Sequence, residues 1–145
     1  LKAYQDLIMI AGHYEGIDAR VEECLATDVL SIGDYLLTGG EVPAMVVLDA
    51  VARLLPGVIN ETGVTHDESF TAGMLQHPAY TRPPVFRGLP VPGTLLSGNH
   101  VSIDRWRRRH ALLRTRARRP DLLGALDLSA EDCRLLEETQ EGEEQ

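Results

Sequence analysis

The sequence predicts an α/β chain with parallel strands followed by a small helical region, on three observations. Two short apolar runs, Leu7-Ile8-Met9-Ile10 and Val29-Leu30-Ser31-Ile32, each stop at a glycine-containing loop, as buried strands do. Each loop leads into a helical pattern, giving the order strand, loop, helix, strand, loop, helix. Beyond residue 98 the pattern changes to one long helix and then a shorter one.

Taken in order, the first loop, residues 12–18, places glycines at 12 and 16, and residues 17–25 read as a short helix with Glu and Arg outward. The second loop, residues 33–41, holds three glycines, an Asp and a Tyr. It is longer than the plain strand-to-helix turn of about two to six residues. Pro43 then precedes an almost wholly apolar stretch, residues 44–55, read as a helix with proline near its start and Arg53 near its end. Residues 60–75 are polar with little periodicity, a linker or a functional loop. Residues 77–98 hold five prolines, which excludes a regular helix. Asn99 is the expected N-cap of a helix running to about Ala117. Its core face is expected from Ile103, Trp106, His110, Leu113 and Ala117, which fall within an arc of about 80°. Ser129 with Asp132 starts a last short helix, with Asp standing where a capping box has Glu or Gln. The acidic tail, residues 137–145, is expected to fray.

At 145 residues the chain is one domain or two small ones, and its formal net charge of −8, taken as a sum, argues against a nucleic-acid partner. The charge is not evenly spread. Residues 1–97 carry −7, residues 98–119 carry +7 from eight Arg and one Asp, and residues 120–145 carry −8. A helix so one-sided points to an external polyanion, whose phosphates Arg contacts without reading sequence. Pairing with the acidic tail is the alternative. No run of about 18 apolar residues is present to form a membrane-spanning helix. Cys24 and Cys133 lie far apart and outside any metal-ligand spacing, so no metal site is expected and a reduced cytoplasmic setting fits.

Both glycine loops leave the carboxyl ends of expected strands, the usual place for a ligand, and missing side chains let backbone approach a flat group. With no GKS or GKT, a Walker-type phosphate loop is excluded. His66-Asp67-Glu68-Ser69 gathers an imidazole and two carboxylates, either a solvated loop or the seat of a general base. Arg53 either interacts with its helix dipole or faces developing negative charge.

Six stretches carry a family resemblance: residues 12–20 (GHYEGIDAR), 31–41 (SIGDYLLTGGE), 53–58 (RLLPGV), 80–83 (YTRP), 95–100 (LLSGNH) and 105–107 (RWR). Together, in this order and spacing, they resemble the bacterial tRNA (guanine-N1)-methyltransferase (TrmD) family over essentially the whole chain. The resemblance implies a SPOUT-type α/β fold with a trefoil knot, a rare exception among chain topologies, followed by a small α-helical C-terminal domain. It also implies a homodimer with shared active sites, S-adenosylmethionine as methyl donor, and the tRNA guanine 3′ of the anticodon as acceptor. DNA and membrane partners are not expected, and a need for magnesium is left open.

Carried over by position, the adenosylmethionine site comprises Gly12, Tyr14, Glu15, Ser31, Ile32, Gly33, Asp34, Tyr35, Leu36, Leu37, Gly39, Gly40 and Pro43. Arg53 matches the family's arginine at the purine oxygen. The family's base is an Asp; ungapped matching puts Glu68 at its place, with Asp67 one residue before, and both are named. RNA contacts are expected from Arg105, Arg107, Arg108, Arg114, Arg118 and Arg119. The implied layout is residues 1–60 as the rear of the catalytic domain, 61–75 as an interdomain loop, and 76–145 as a helical tRNA-binding domain. Since the family has a further N-terminal part, the chain looks like its C-terminal part and is expected to be inactive alone. The alternative is a non-enzymatic RNA-binding module that uses the Arg-rich helix.

Overall fold

The computed structural model describes residues 1–59 and 68–138. His66, Asp67 and the tail from residue 139 onward lie outside the described residues. The chain divides into two compact units, Leu1–Val64 and Thr65–Gln145.

In the first unit, α1 spans Ala19–Cys24 and α2 spans Glu41–Ala52. The Asp18 carboxylate caps α1 by accepting from Arg20 N at 2.9 Å. The Arg20 guanidinium beside it holds Asp18 down to about 2. Helix α2 begins at Glu41, three residues before the expected start, with Gly40 as its N-cap. Pro43 is its third residue, where a missing N–H leaves no intrahelical bond unmade. Arg53 is the C-cap, its N–H donating to Asp49 O.

The strands expected at residues 7–10 and 29–32 do not form, so the parallel sheet is absent among the described residues. A strand needs a hydrogen-bonded neighbour. Neither run pairs with the other or with any described residue, and their side chains meet solvent, with Ile8 88% and Leu30 59% exposed. Among the described residues, none of the first unit is fully buried.

The second unit opens with a closed loop over residues 68–76. An antiparallel hairpin follows, β1 (Val85–Phe86) with β2 (Leu89–Pro90), in the register Val85 to Pro90 and Phe86 to Leu89. Its turn residues Arg87 and Gly88 have φ of 52° and 82°, the left-handed pair that a tight two-residue hairpin turn requires. This hairpin lies in the proline-rich stretch that the sequence excludes from regular helix, inside the domain expected to be helical. Helices α3 (Gly93–Leu96), α4 (His100–Arg118), α5 (Pro120–Gly124) and α6 (Ala130–Glu137) complete the unit.

Helix α4 is the axis, with α3, α5 and α6 all packed against it. Asn99 caps it through Oδ1, which accepts from Ser102 N at 3.3 Å. At α6 the capping box closes with Asp: Ser129 Oγ accepts from Asp132 N at 3.1 Å, and Asp132 Oδ2 accepts from Ser129 N at 3.0 Å. The core joins Met74, Ala111, Leu112 and Leu135, flanked by Leu123, Leu126, Leu128 and Leu136. Fully burying Leu112 and Leu135 favours folding by about 1.5–3 kcal/mol each. Met74 comes from the stretch expected as an interdomain loop.

The buried face of α4 differs from the expected arc. Ile103 and Trp106 are buried, His110 and Leu113 half-buried, and Ala117 exposed; Arg109, Ala111, Leu112 and Thr115 are buried instead. Three helices flank α4, so it buries more than one stripe. Trp106 is covered by the His110 ring, stacked at 3.9 Å between centroids, and by His77 and Tyr80 at 6.3 and 6.2 Å.

Candidate functional site

In the first unit the two glycine loops meet. Gly40 N donates to Gly12 O at 2.7 Å, and the His13 backbone bridges to both Gly16 and Gly39. A Cβ on Gly40 would stand 2.9 Å from Ala11 Cα and 3.0 Å from Gly12 N, against fixed backbone. A Cβ on Gly39 would collide with Glu41 Oε2 and His13 Nδ1. At Gly40 only glycine permits this approach, so the two loops pack backbone to backbone. His13 stands beside this contact, Nδ1 3.4 Å from Glu41 Oε1 and its ring edge-on to Tyr14 at 4.6 Å.

The remaining candidates in this unit form a local turn. Ser31 Oγ accepts from Gly33 N at 3.2 Å and donates to Gly33 O at 3.3 Å, while the Tyr35 hydroxyl donates to Ile32 O at 3.3 Å. Tyr14, Glu15, Asp34, Tyr35, Leu36 and Leu37 are exposed, Ile32 and Pro43 half-buried. Arg53 borders a shallow hollow on α2 with Val46, Asp49 and Ala50. The structure thus joins Gly12, Gly39 and Gly40 directly.

In the second unit, Glu68 is half-buried at the head of the loop 68–76. It lines a cleft of about 260 Å³ with Met74, His77, Asp104, Arg107 and Arg108. Phe70 N donates to Met74 O at 2.7 Å, and Gln76 N to Ser69 Oγ at 3.0 Å, which closes the loop. Asp67 lies outside the described residues. Arg53 belongs to the first unit and Glu68 to the second.

The arginines of α4 divide by partner. Arg108 grips Asp132 through Nε at 2.7 Å and Nη2 at 3.0 Å. That grip raises the Arg108 pKa and holds the Asp132 carboxyl well below the usual carboxylate range. Arg109 is buried and donates to Glu138 O at 2.9 Å. Arg105 is ion-paired with the Glu138 carboxylate. Arg114 reaches Gln76 O at 3.4 Å and Arg116 reaches Leu136 O at 3.2 Å. Arg119 holds Asp121 at 2.8 and 2.6 Å. Arg107 is exposed, 3.6 Å from Asp104, and Arg118 is exposed at the helix end.

Sequence reasoning passes over His13, Ser69 and Thr115. The first two sit inside singled-out stretches, so their position was the available signal. Thr115 carries none, because its partner is 40 residues away. Among the described residues no group of three or more His, Cys, Asp or Glu gathers as a metal site, and no helix is long and apolar enough to cross a membrane.

Comparison with known proteins adds to this geometry. Residues 1–125 match the family described as tRNA (guanine-1)-methyltransferase. A tRNA (guanine-N(1)-)-methyltransferase of Dehalococcoides mccartyi is 57% identical over 138 residues, covering 95% of this chain and 56% of that protein. The protein of the same name from Moorella thermoacetica is 60% identical over 134 residues, covering 92% and 54%. That from Bacillus cereus is 52% identical over 138 residues, covering 95% and 57%. The chain spans about half the length of the curated relatives it matches.

Proposed function

The chain belongs to the tRNA (guanine-1)-methyltransferase family, and from that premise we propose that the protein carrying it methylates N1 of the tRNA guanine 3′ of the anticodon. The observation that carries this reading is the close packing of the two glycine loops at Gly12, Gly39 and Gly40, which we read as a main-chain cradle. It suits the flat adenosyl group of S-adenosylmethionine, which when bound supplies an electrophilic sulfonium methyl. Tyr14, Glu15, Pro43 and the 31–37 turn adjoin that cradle along the chain and complete the proposed site.

Guanine N1 carries a proton at neutral pH, so a carboxylate must accept it as N1 attacks. Glu68 or Asp67 takes that proton. Arg53 stabilises the charge that develops on the purine oxygen. The arginines of α4 and its C-cap hold the tRNA backbone, led by Arg107 and Arg118, with Arg105, Arg114 and Arg119 beside them. Arg108 contributes least of the six to RNA contact, because its guanidinium is committed to Asp132. The whole protein takes the SPOUT-type knotted fold and works as a cytoplasmic homodimer with shared active sites. A pure RNA-binding module would have no use for the cradle.

The test is methyl transfer from adenosylmethionine to tRNA by the full-length protein, read as N1-methylguanosine. Single Asp67→Ala and Glu68→Ala changes separate the two bases: the true base loses most of the rate, typically about 10²-fold or more. Full rate in both variants would put the base outside this segment.

A further inference from the structure

We propose that Thr115 is a positioning residue for the proton-accepting carboxylate, acting through Leu75 on the loop that Glu68 heads. The inference rests on the reading of Glu68 as base. Its starting point is a hydroxyl in an unexpected place. Thr115 is fully buried beside the apolar core, where Val or Leu would pack without a polar atom. A mid-helix Thr that bonds back to its own helix gains nothing for that helix. Here Oγ1 donates to Ala111 O at 2.7 Å, which consumes its single proton and fixes the rotor. The lone pairs then serve Leu75 N, which donates to Oγ1 at 2.9 Å.

The loop is otherwise held by bonds of its own. Thr71 N donates to Glu68 O at 3.2 Å, Phe70 N to Met74 O at 2.7 Å, and Gln76 N to Ser69 Oγ at 3.0 Å. These make residues 68–76 stiff internally but do not orient the loop on the unit. Orientation comes from Met74 in the core, from Arg114 on Gln76 O at 3.4 Å, and from the shorter, part-buried Thr115–Leu75 bond. Thr115 thereby joins the base-bearing loop to the arginine helix. The carboxylate is delivered as part of the RNA-holding unit. A misplacement of about 1 Å in such a group can cost about 10²-fold in rate.

The experiment is steady-state kinetics of full-length Thr115→Val and Thr115→Ser, with Glu68→Gln alongside and thermal unfolding of each. Valine keeps the shape and removes the acceptor. Its expected kcat falls by about tenfold to a hundredfold, with KM for tRNA and for adenosylmethionine nearly unchanged. Serine restores kcat because it keeps Oγ. Unchanged kcat in Thr115→Val overturns the proposal, as does a loss that tracks the melting temperature, moves KM equally and is not rescued by serine. If Thr115→Val does not fold, Thr115→Ala removes the same acceptor and is read by the same kcat-against-KM split. Full rate in Glu68→Gln beside a slow, serine-rescued Thr115→Val overturns Glu68 as base and supports the anchor. A slow Glu68→Gln beside a fast Thr115→Val overturns the anchor alone.

Discussion

Asp132 shows what one residue decides in this molecule. Its carboxylate accepts from Arg108 Nε and Nη2 and from Ser129 N and Oγ, between 2.7 and 3.0 Å. The Arg108 bonds, more than anything else, stabilise its charged form and depress its pKa below the ordinary 3.8. The unfolded chain binds the proton at higher pH than the folded one. The stabilisation is therefore complete above about pH 5 and is lost as pH falls through the unfolded value toward the folded one. Asp132→Asn should destabilise the second unit by about 2 kcal/mol at pH 7, since charged bonds to a buried group are broken. Solvent at the part-exposed Arg108 keeps the figure from being larger. Urea unfolding of wild type and variant checks this, with the gap narrowing as pH is lowered from 5; a gap constant down to pH 2 would refute it.

At the scale of elements, α4 carries two kinds of arginine on one helix. Arg108 and Arg109 are turned to Asp132 and the end of α6, while Arg107 and Arg118 are exposed. The expectation of one RNA-facing array thus resolves into struts and exposed ends. Arg118→Ala should weaken tRNA binding uniformly and lower the salt slope by about 1, with unfolding unchanged. Arg108→Ala should lower stability, because it strands Asp132, and move the slope less. Binding titrations across a salt series, with parallel melts, distinguish the two; equal slopes would show that the inward arginine also meets RNA.

At the scale of the whole molecule, the residues fully buried among those described all come from the second unit. The first unit presents Ile8, Leu30, Leu36 and Met45 to solvent. Cooperative unfolding requires a shared core, so the units should differ when made separately. Residues 65–145 should melt in one cooperative transition, and residues 1–64 should show none. Calorimetry of both pieces checks this; a cooperative transition in the first piece would mean that its apolar runs find partners of their own.

Much of the second unit is legible in the sequence. Asn99 as N-cap, the extent of α4, and the Ser129–Asp132 start of α6 all involve groups within four positions of each other. The glycine loops are legible too, and the match over residues 1–125 assigns the family that the six motifs resemble. What local spacing left open depends on atoms far apart in the chain. Strands at residues 7–10 and 29–32 needed hydrogen-bonding neighbours that composition does not supply. The partners of Arg108 and Leu75 lie 24 and 40 residues away. By itself, then, the sequence determined the Asn99 and Ser129 caps, helices α4 and α6 and the chemistry its motifs can hold, because neighbours along the chain enforce these. Only the tertiary structure decided which arginines turn inward, that Met74 belongs to the core, and that Thr115 grips the loop of Glu68. Those outcomes depend on which distant groups share a desolvated space.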